Sequence, residues 1–175
     1  MGQFANDIEA VRQRARQNME AGAVTGGYKA DREQVLKVLN EVLATEIVCT
    51  LRYLRHYYMA MGINSESVKD EFREHADQEQ EYAAWIAERI VQLGGAPNYN
   101  PDGMAARSHS QYVEGGNLLE MIKEDLVAER IAIETYSEIV RWLGNDDPVT
   151  RRLIERILES ENQHAEDMAS LLEQF

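Results

Sequence analysis

Apolar residues recur along this chain at alternating steps of four and three, which predicts four long helices, and in each of them one glutamate interrupts the seam. The first runs from Asp31, a suitable N-cap, to Gly62, with Val35, Leu39, Val42, Glu46, Cys49, Tyr53, His56 and Ala60 on one face. The second covers about Ser67 to Leu93 and turns Phe72, His75, Glu79, Tyr82 or Ala83, Ile86, Ile90 and Leu93 inward. Residues 94 to 116 are rich in Gly, Pro, Asn and Ser and read as a long connection, of the kind that crosses the length of a bundle. Asn117 caps the third helix with Glu120 as its capping-box partner, over a seam of Leu119, Ile122, Leu126, Glu129, Ile133, Tyr136, Val140 and Leu143. A turn at Gly144 to Asp146, a cap at Asp147 and Pro148 at the first helical position open the fourth. Its stripe of Ile154, Ile157, Leu158, Ala165, Met168, Leu171, Leu172 and Phe175 contains Glu161 and His164. Ahead of all four, residues 5 to 21 predict a short helix that ends at Gly22 or at Gly26-Gly27.

The two halves of the pattern repeat one plan. Glu79 follows Glu46 by 33 residues and Glu161 follows Glu129 by 32; the first glutamate of each pair is single, and the second has a ligand candidate three residues on, Tyr82 or His164. Tyr53 and Tyr136 each stand seven residues after their glutamate. Glu161 and His164 lie on one helical face and can aim a carboxylate and an imidazole at one point. Two helical hairpins joined by a crossover then bring four glutamates to one level of a bundle. Four buried carboxylates without counter-charge are costly, and two divalent cations balance them. Oxygen ligands with imidazole suit iron or manganese, held about 3.5 to 4 Å apart by bridging carboxylates.

Composition narrows the rest. A length of 175 residues fits one domain with a sizeable core. The net charge of −13 argues against anionic partners such as DNA or acidic membranes and favours cations. Over residues 1 to 30, Arg12, Arg14, Arg16 and Lys29 stand against Asp7, Glu9 and Glu20, a balance too weak for a DNA-binding tail. That segment reads as a packing or assembly extension. The single cysteine, Cys49, permits no disulfide within the chain and no thiolate cluster. With no signal-peptide pattern and no apolar run long enough for a membrane span, a cytoplasmic location is expected.

Four features together identify the chain as resembling the bacterioferritin-type members of the ferritin-like superfamily: the helix order, Glu79-Gln80-Glu81-Tyr82-Ala83 followed by Ile90 to Asn98, Asp125-Leu126-Val127-Ala128-Glu129, and Glu161-Asn162-Gln163-His164. The resemblance covers roughly residues 31 to 175 and implies an all-α, ferritin-like four-helix bundle with one long crossover, residues 1 to 30 being an N-terminal helical extension. It implies one metal site at Glu46, Glu79, Glu161 and residue 82, and another at Glu129, Glu79, Glu161 and His164, with Glu79 and Glu161 bridging. Tyr53 falls where the family keeps a tyrosine beside the centre. The implied chemistry is ferroxidase chemistry: binding of two ferrous ions, their oxidation by dioxygen or peroxide, and storage of ferric iron within a homo-oligomeric shell.

Three departures alter that expectation. Tyr82 stands where the family pattern has histidine, and a phenol that ionises near pH 10 is a poor ferrous ligand, so unequal sites and slowed oxidation are expected. His75, one turn before Glu79, reads first as a core or interface histidine and second as a substitute ligand. Gln80 occupies the place of the haem-ligating methionine, so haem is not expected. Eleven residues follow His164, too few for bacterioferritin's fifth helix, which points to a dodecamer-like shell or a dimer. Two other readings stay open: a di-metal oxidase or manganese-catalase-like enzyme, and a degenerate-site structural or DNA-protecting assembly protein.

Overall fold

In the computed structural model, described here for residues 7 to 63 and 65 to 175, four long helices form the bundle. They are α2 (Arg32–Met59), α3 (Ser65–Gln92), α5 (Leu118–Leu143) and α6 (Pro148–Leu172), preceded by α1 (Ile8–Ala15) and with the short α4 (Met104–Arg107) in the crossover. At 25 to 28 residues each, the long helices span about 40 Å. No strand occurs among the described residues. The helices begin where local chemistry says they should. The Asp31 carboxylate accepts from the Glu33 and Gln34 amides, and Asn117 accepts from Glu120 while the Glu120 carboxylate takes the Gly116 amide. Asp147 accepts from the Thr150 amide behind Pro148.

α3 stops at a pair of glycines with two different tasks. Gly94 holds φ at +77°, and a Cβ on Gly95 would lie 2.4 Å from Leu36 Cδ2, so a larger residue there would have to displace that side chain of α2.

Two apolar clusters fill the bundle, one toward each end. Val35, Leu39, Leu43, Ile86, Ile90, Tyr136, Leu143, Ile154 and Ile157 pack in the first; Tyr53, Val68, Phe72, Met121, Ile122, Met168 and Leu171 pack in the second. The four glutamates fall between them in every helix. Each cluster is flanked by a buried ion network. At one end Arg52 binds Asp125 at 2.8 Å and reaches Ser110 and the Gln111 carbonyl, while His56 binds the other Asp125 oxygen and faces the carbonyls of Val113 and Glu114. This ties the crossover to α2 and α5. At the other end Arg89 binds Asp147 and Thr150, and the Tyr28 hydroxyl donates to Asp147, which docks the segment before α2 onto the bundle.

Three expectations need correction. The seam of α5 is rotated from the one the sequence suggests: Asp125, Ala132 and Ile139 are buried, whereas Leu126, Ile133 and Val140 are only half-buried. The cause is Asp125, which Arg52 and His56 draw into the interior. The helix expected over residues 5 to 21 is helical only at Ile8–Ala15, followed by a single tight turn at Met19–Ala21; residues 5 and 6 lie outside the described residues. Asn18 takes a left-handed conformation, φ +50°, and α1 buries none of its residues, so no packing compensates for extending it. Phe175 lies beyond the end of α6 and is exposed.

Candidate metal centre

Each long helix delivers its seam glutamate to the same level. Glu46 from α2, Glu79 from α3, Glu129 from α5 and Glu161 from α6 are all 1% exposed, and His164 is 2% exposed. His164 Nδ1 stands 3.6 Å from Glu79 Oε1, 3.8 Å from Glu129 Oε2 and 3.7 Å from Glu161 Oε2. One ligand atom from each of these four residues therefore converges on a single point. Glu46 adjoins this group closely enough for the charge of Glu79 to act on its carboxyl.

The neighbours fix which atoms face inward. Gln78 Oε1 accepts from His164 Nε2 at 2.5 Å, so Nε2 carries a proton and Nδ1 is the ring atom turned to the carboxylates. The Tyr53 hydroxyl donates to Glu129 Oε1 at 2.5 Å, and the Tyr136 hydroxyl donates to Glu46 Oε1. Glu129 and Glu46 are thus gripped on one side and bare on the other. Glu46 Oε2, Glu79 Oε1, Glu129 Oε2, Glu161 Oε1 and His164 Nδ1 are buried without any hydrogen-bond partner among the described residues. Buried polar atoms are rarely left so, and five acceptors in one dry space are what a pair of cations would satisfy.

The electrostatics agree. Burial, and then the charge of Glu79, hold the Glu46 carboxyl well above its ordinary range, and burial with Glu79 and Glu129 does the same for Glu161. Glu79 is pushed up to about 8 by burial and by Glu129. Glu129 is the exception: burial would raise it, but bonding to Glu161, the nearness of His164 and the Tyr53 hydroxyl bring it down to about 2. Without metal, protons stand in for the missing positive charge.

Tyr82 is buried beside His164, near Glu46, Glu79 and Glu161. Its ring lies nearly parallel to that of His164 at 6.2 Å and tilts against Trp85, and burial raises its phenol to about 12. It stays neutral there. His75, read from the sequence as packing, is buried and stacked on His164 with ring centroids 4.0 Å apart. Sequence reasoning missed Gln78 altogether. Its signal was its place beside Glu79, but a partner 86 residues away on another helix leaves no mark in local periodicity. Cys49 is buried on the α2 seam, its thiol pushed up by burial and bonded by Arg52 at 3.6 Å.

A family model described as the ferritin-like domain matches residues 36–175. A bacterioferritin of Desulfovibrio desulfuricans is 30% identical over 140 residues, covering 79% of this chain and 74% of that protein. Among solved structures, the dodecameric thioferritin of Bacteroides fragilis, a bacterioferritin-related protein, superposes with a TM-score of 0.80 at 27% identity, over 83% of this chain and 88% of the other. A Dps from Thermosynechococcus elongatus gives a TM-score of 0.76 at 20% identity, over 80% of this chain and 90% of the other, a likeness of fold alone.

Proposed function

The chain belongs to the ferritin-like family, and from that premise we propose that Glu46, Glu79, Glu129, Glu161 and His164 hold two ferrous ions inside each subunit, with Glu79 and Glu161 between them. The protein is an iron-binding ferritin-like protein that oxidises Fe(II) at this centre and stores the ferric product. The observation that carries the assignment is the set of five buried atoms, four carboxylate oxygens and one imidazole nitrogen, that lack partners, on residues of which four, Glu79, Glu129, Glu161 and His164, bring a ligand atom to one point.

When bound, the ferrous pair supplies two electrons, one from each ion, to dioxygen or peroxide. The chain's own residues do the remainder. The buried, raised carboxyls of Glu46, Glu79 and Glu161 hold protons that must leave as the ions enter. Tyr53 and Tyr136 keep Glu129 and Glu46 turned inward, and Gln78 keeps the Nδ1 lone pair of His164 available. Tyr82, neutral at physiological pH, gives the Glu46 side no nitrogen ligand, so the two ions are bound with unequal strength. Subunits of this kind form a homo-oligomeric shell around the stored iron, and the likeness to the thioferritin dodecamer supports a shell of that size. Residues 1 to 30 act as an extension to the bundle of residues 31 to 175, and the exposed helix α1 is free for contacts between subunits.

Anaerobic calorimetric titration of metal-free protein with ferrous iron tests the centre. Two ions per chain, one weaker than the other, are expected; binding of one ion or none would remove the assignment.

A further inference from the structure

His75 belongs to a second arrangement of ligands. It is 2% exposed, with its ring laid on that of His164. The single proton of the Tyr53 hydroxyl goes to Glu129, so the Tyr53 oxygen accepts, and the group that donates to it at 3.1 Å is the Nδ1–H of His75. Nε2 is then left with its lone pair. That atom points away from the core, 3.7 Å from Glu71 Oε2 and 3.6 Å from Asp167 Oδ2, and both distances lie beyond hydrogen-bonding reach. The other Asp167 oxygen is occupied by the Gln163 amide at 2.9 Å, which leaves Oδ2 for the cluster. Three acceptors thus face one another with no donor among them.

We propose that Glu71, His75 and Asp167 form a mononuclear site for a divalent transition-metal cation, separate from the pair in the core and open to solvent on its carboxylate side. Ligand atoms around an ion held at about 2.0 to 2.2 Å lie roughly 3.0 to 3.5 Å apart, so each carboxylate need move only slightly toward His75, at 3.7 and 3.6 Å, and the three ligand atoms already lie within 4.8 Å of one another. The ligands that must shift are the mobile ones: the Glu71 and Asp167 side chains are 40% and 34% exposed, whereas His75 is fixed by Tyr53 and by the stack. One imidazole with two carboxylates, completed by water, suits Fe(II), Mn(II) or Zn(II). The site adjoins the core pair through His75, whose Nδ1 bonds Tyr53 and whose ring covers His164. An ion on Nε2 holds the His75 proton on Nδ1, and so keeps the hydroxyl of Tyr53 directed at Glu129.

Crystals of the intact protein soaked in cobalt(II) and measured at the cobalt edge test this directly. An anomalous peak within bonding distance of His75 Nε2 is expected, and its absence would overturn the proposal. Failure of the core reading is visible separately, as a missing peak among Glu79, Glu129 and Glu161. Equilibrium dialysis against cobalt gives an independent measure with the isosteric variant Glu71→Gln/Asp167→Asn, whose altered side chains are partly exposed and leave the fold intact. That variant is expected to bind one cobalt ion fewer per chain than wild type; an unchanged stoichiometry would count against the site.

Discussion

The hairpins α2/α3 and α5/α6 are built alike and differ at one ligand position. Each contributes a single glutamate, a glutamate with a ring three residues on, and a tyrosine seven residues after the single glutamate. The tyrosines are exchanged: Tyr53 of the first hairpin serves Glu129 of the second, and Tyr136 of the second serves Glu46 of the first. Only the ring differs. In the second hairpin it is His164, which turns a bare nitrogen to the centre; in the first it is Tyr82, a phenol stacked beside His164 that burial holds neutral. A histidine does return on the first side, but two turns earlier, as His75, and it faces outward to Glu71 and Asp167. The first hairpin has thus moved its imidazole from the centre to the approach.

The strongest way to break the comparison is to remove a carboxylate that both sides share. Glu161→Gln should lower ferrous affinity by more than about 100-fold, beyond the roughly 10 to 100-fold typical of losing an outer partner, as read by calorimetry. In the metal-free protein the same change should stabilise most at high pH, as read by melting temperature, because it removes a carboxyl whose ionised form is disfavoured by burial and the neighbouring glutamates. Next come the exchanged tyrosines. Tyr136→Phe bares a second Glu46 oxygen and should cost about 1 to 3 kcal/mol in chemical denaturation; Tyr53→Phe should cost more, since Tyr53 also accepts from His75. Equal losses would mean that the two halves are energetically interchangeable.

Tyr82→His restores symmetry and should strengthen the weaker ferrous step by about tenfold, with faster oxidation in stopped-flow. Unchanged affinity and rate would acquit the tyrosine. The smallest effect is that of pH. Glu79, with an ordinary value of 4.5, is raised to about 8 when folded, so its stabilising contribution is complete below about pH 4.5 and is lost as pH rises through 8. Glu46 and Glu161 shift in the same direction. Glu129 runs the other way, but its contribution is lost only as pH falls toward 2. The metal-free protein should therefore melt roughly 5 °C lower at pH 8 than at pH 5. Ferrous affinity should move oppositely and rise with pH, as protons leave the centre more readily.

Much of this was readable from spacing. Asp31, Asn117, Asp147 and Pro148 mark helix starts by local chemistry, and every residue assigned to the α2 seam from Val35 to Ala60 is buried. The glutamates were legible because a charge in an apolar stripe is conspicuous. The α5 seam was not, because its rotation is set by Arg52, which lies 73 residues from Asp125, and periodicity cannot see a partner on another helix. The outward turn of His75 escaped for the same reason: its face was legible, but its bonds to Tyr53 and its opposition to Asp167 exist only once three helices have met.

The exchange of partners across the crossover bears on how the protein is made. A ribosome delivers the first hairpin before the second, and that half alone holds two carboxylates, Glu46 and Glu79, without the hydroxyl that steadies Glu46 and without any histidine directed at the centre. On the proposed ligand set, the centre is complete only once Glu161 and His164 of the second hairpin have joined it. A chain that has only its first hairpin is thereby kept from holding a reactive metal in the open, and possession of iron becomes a certificate that both hairpins have met.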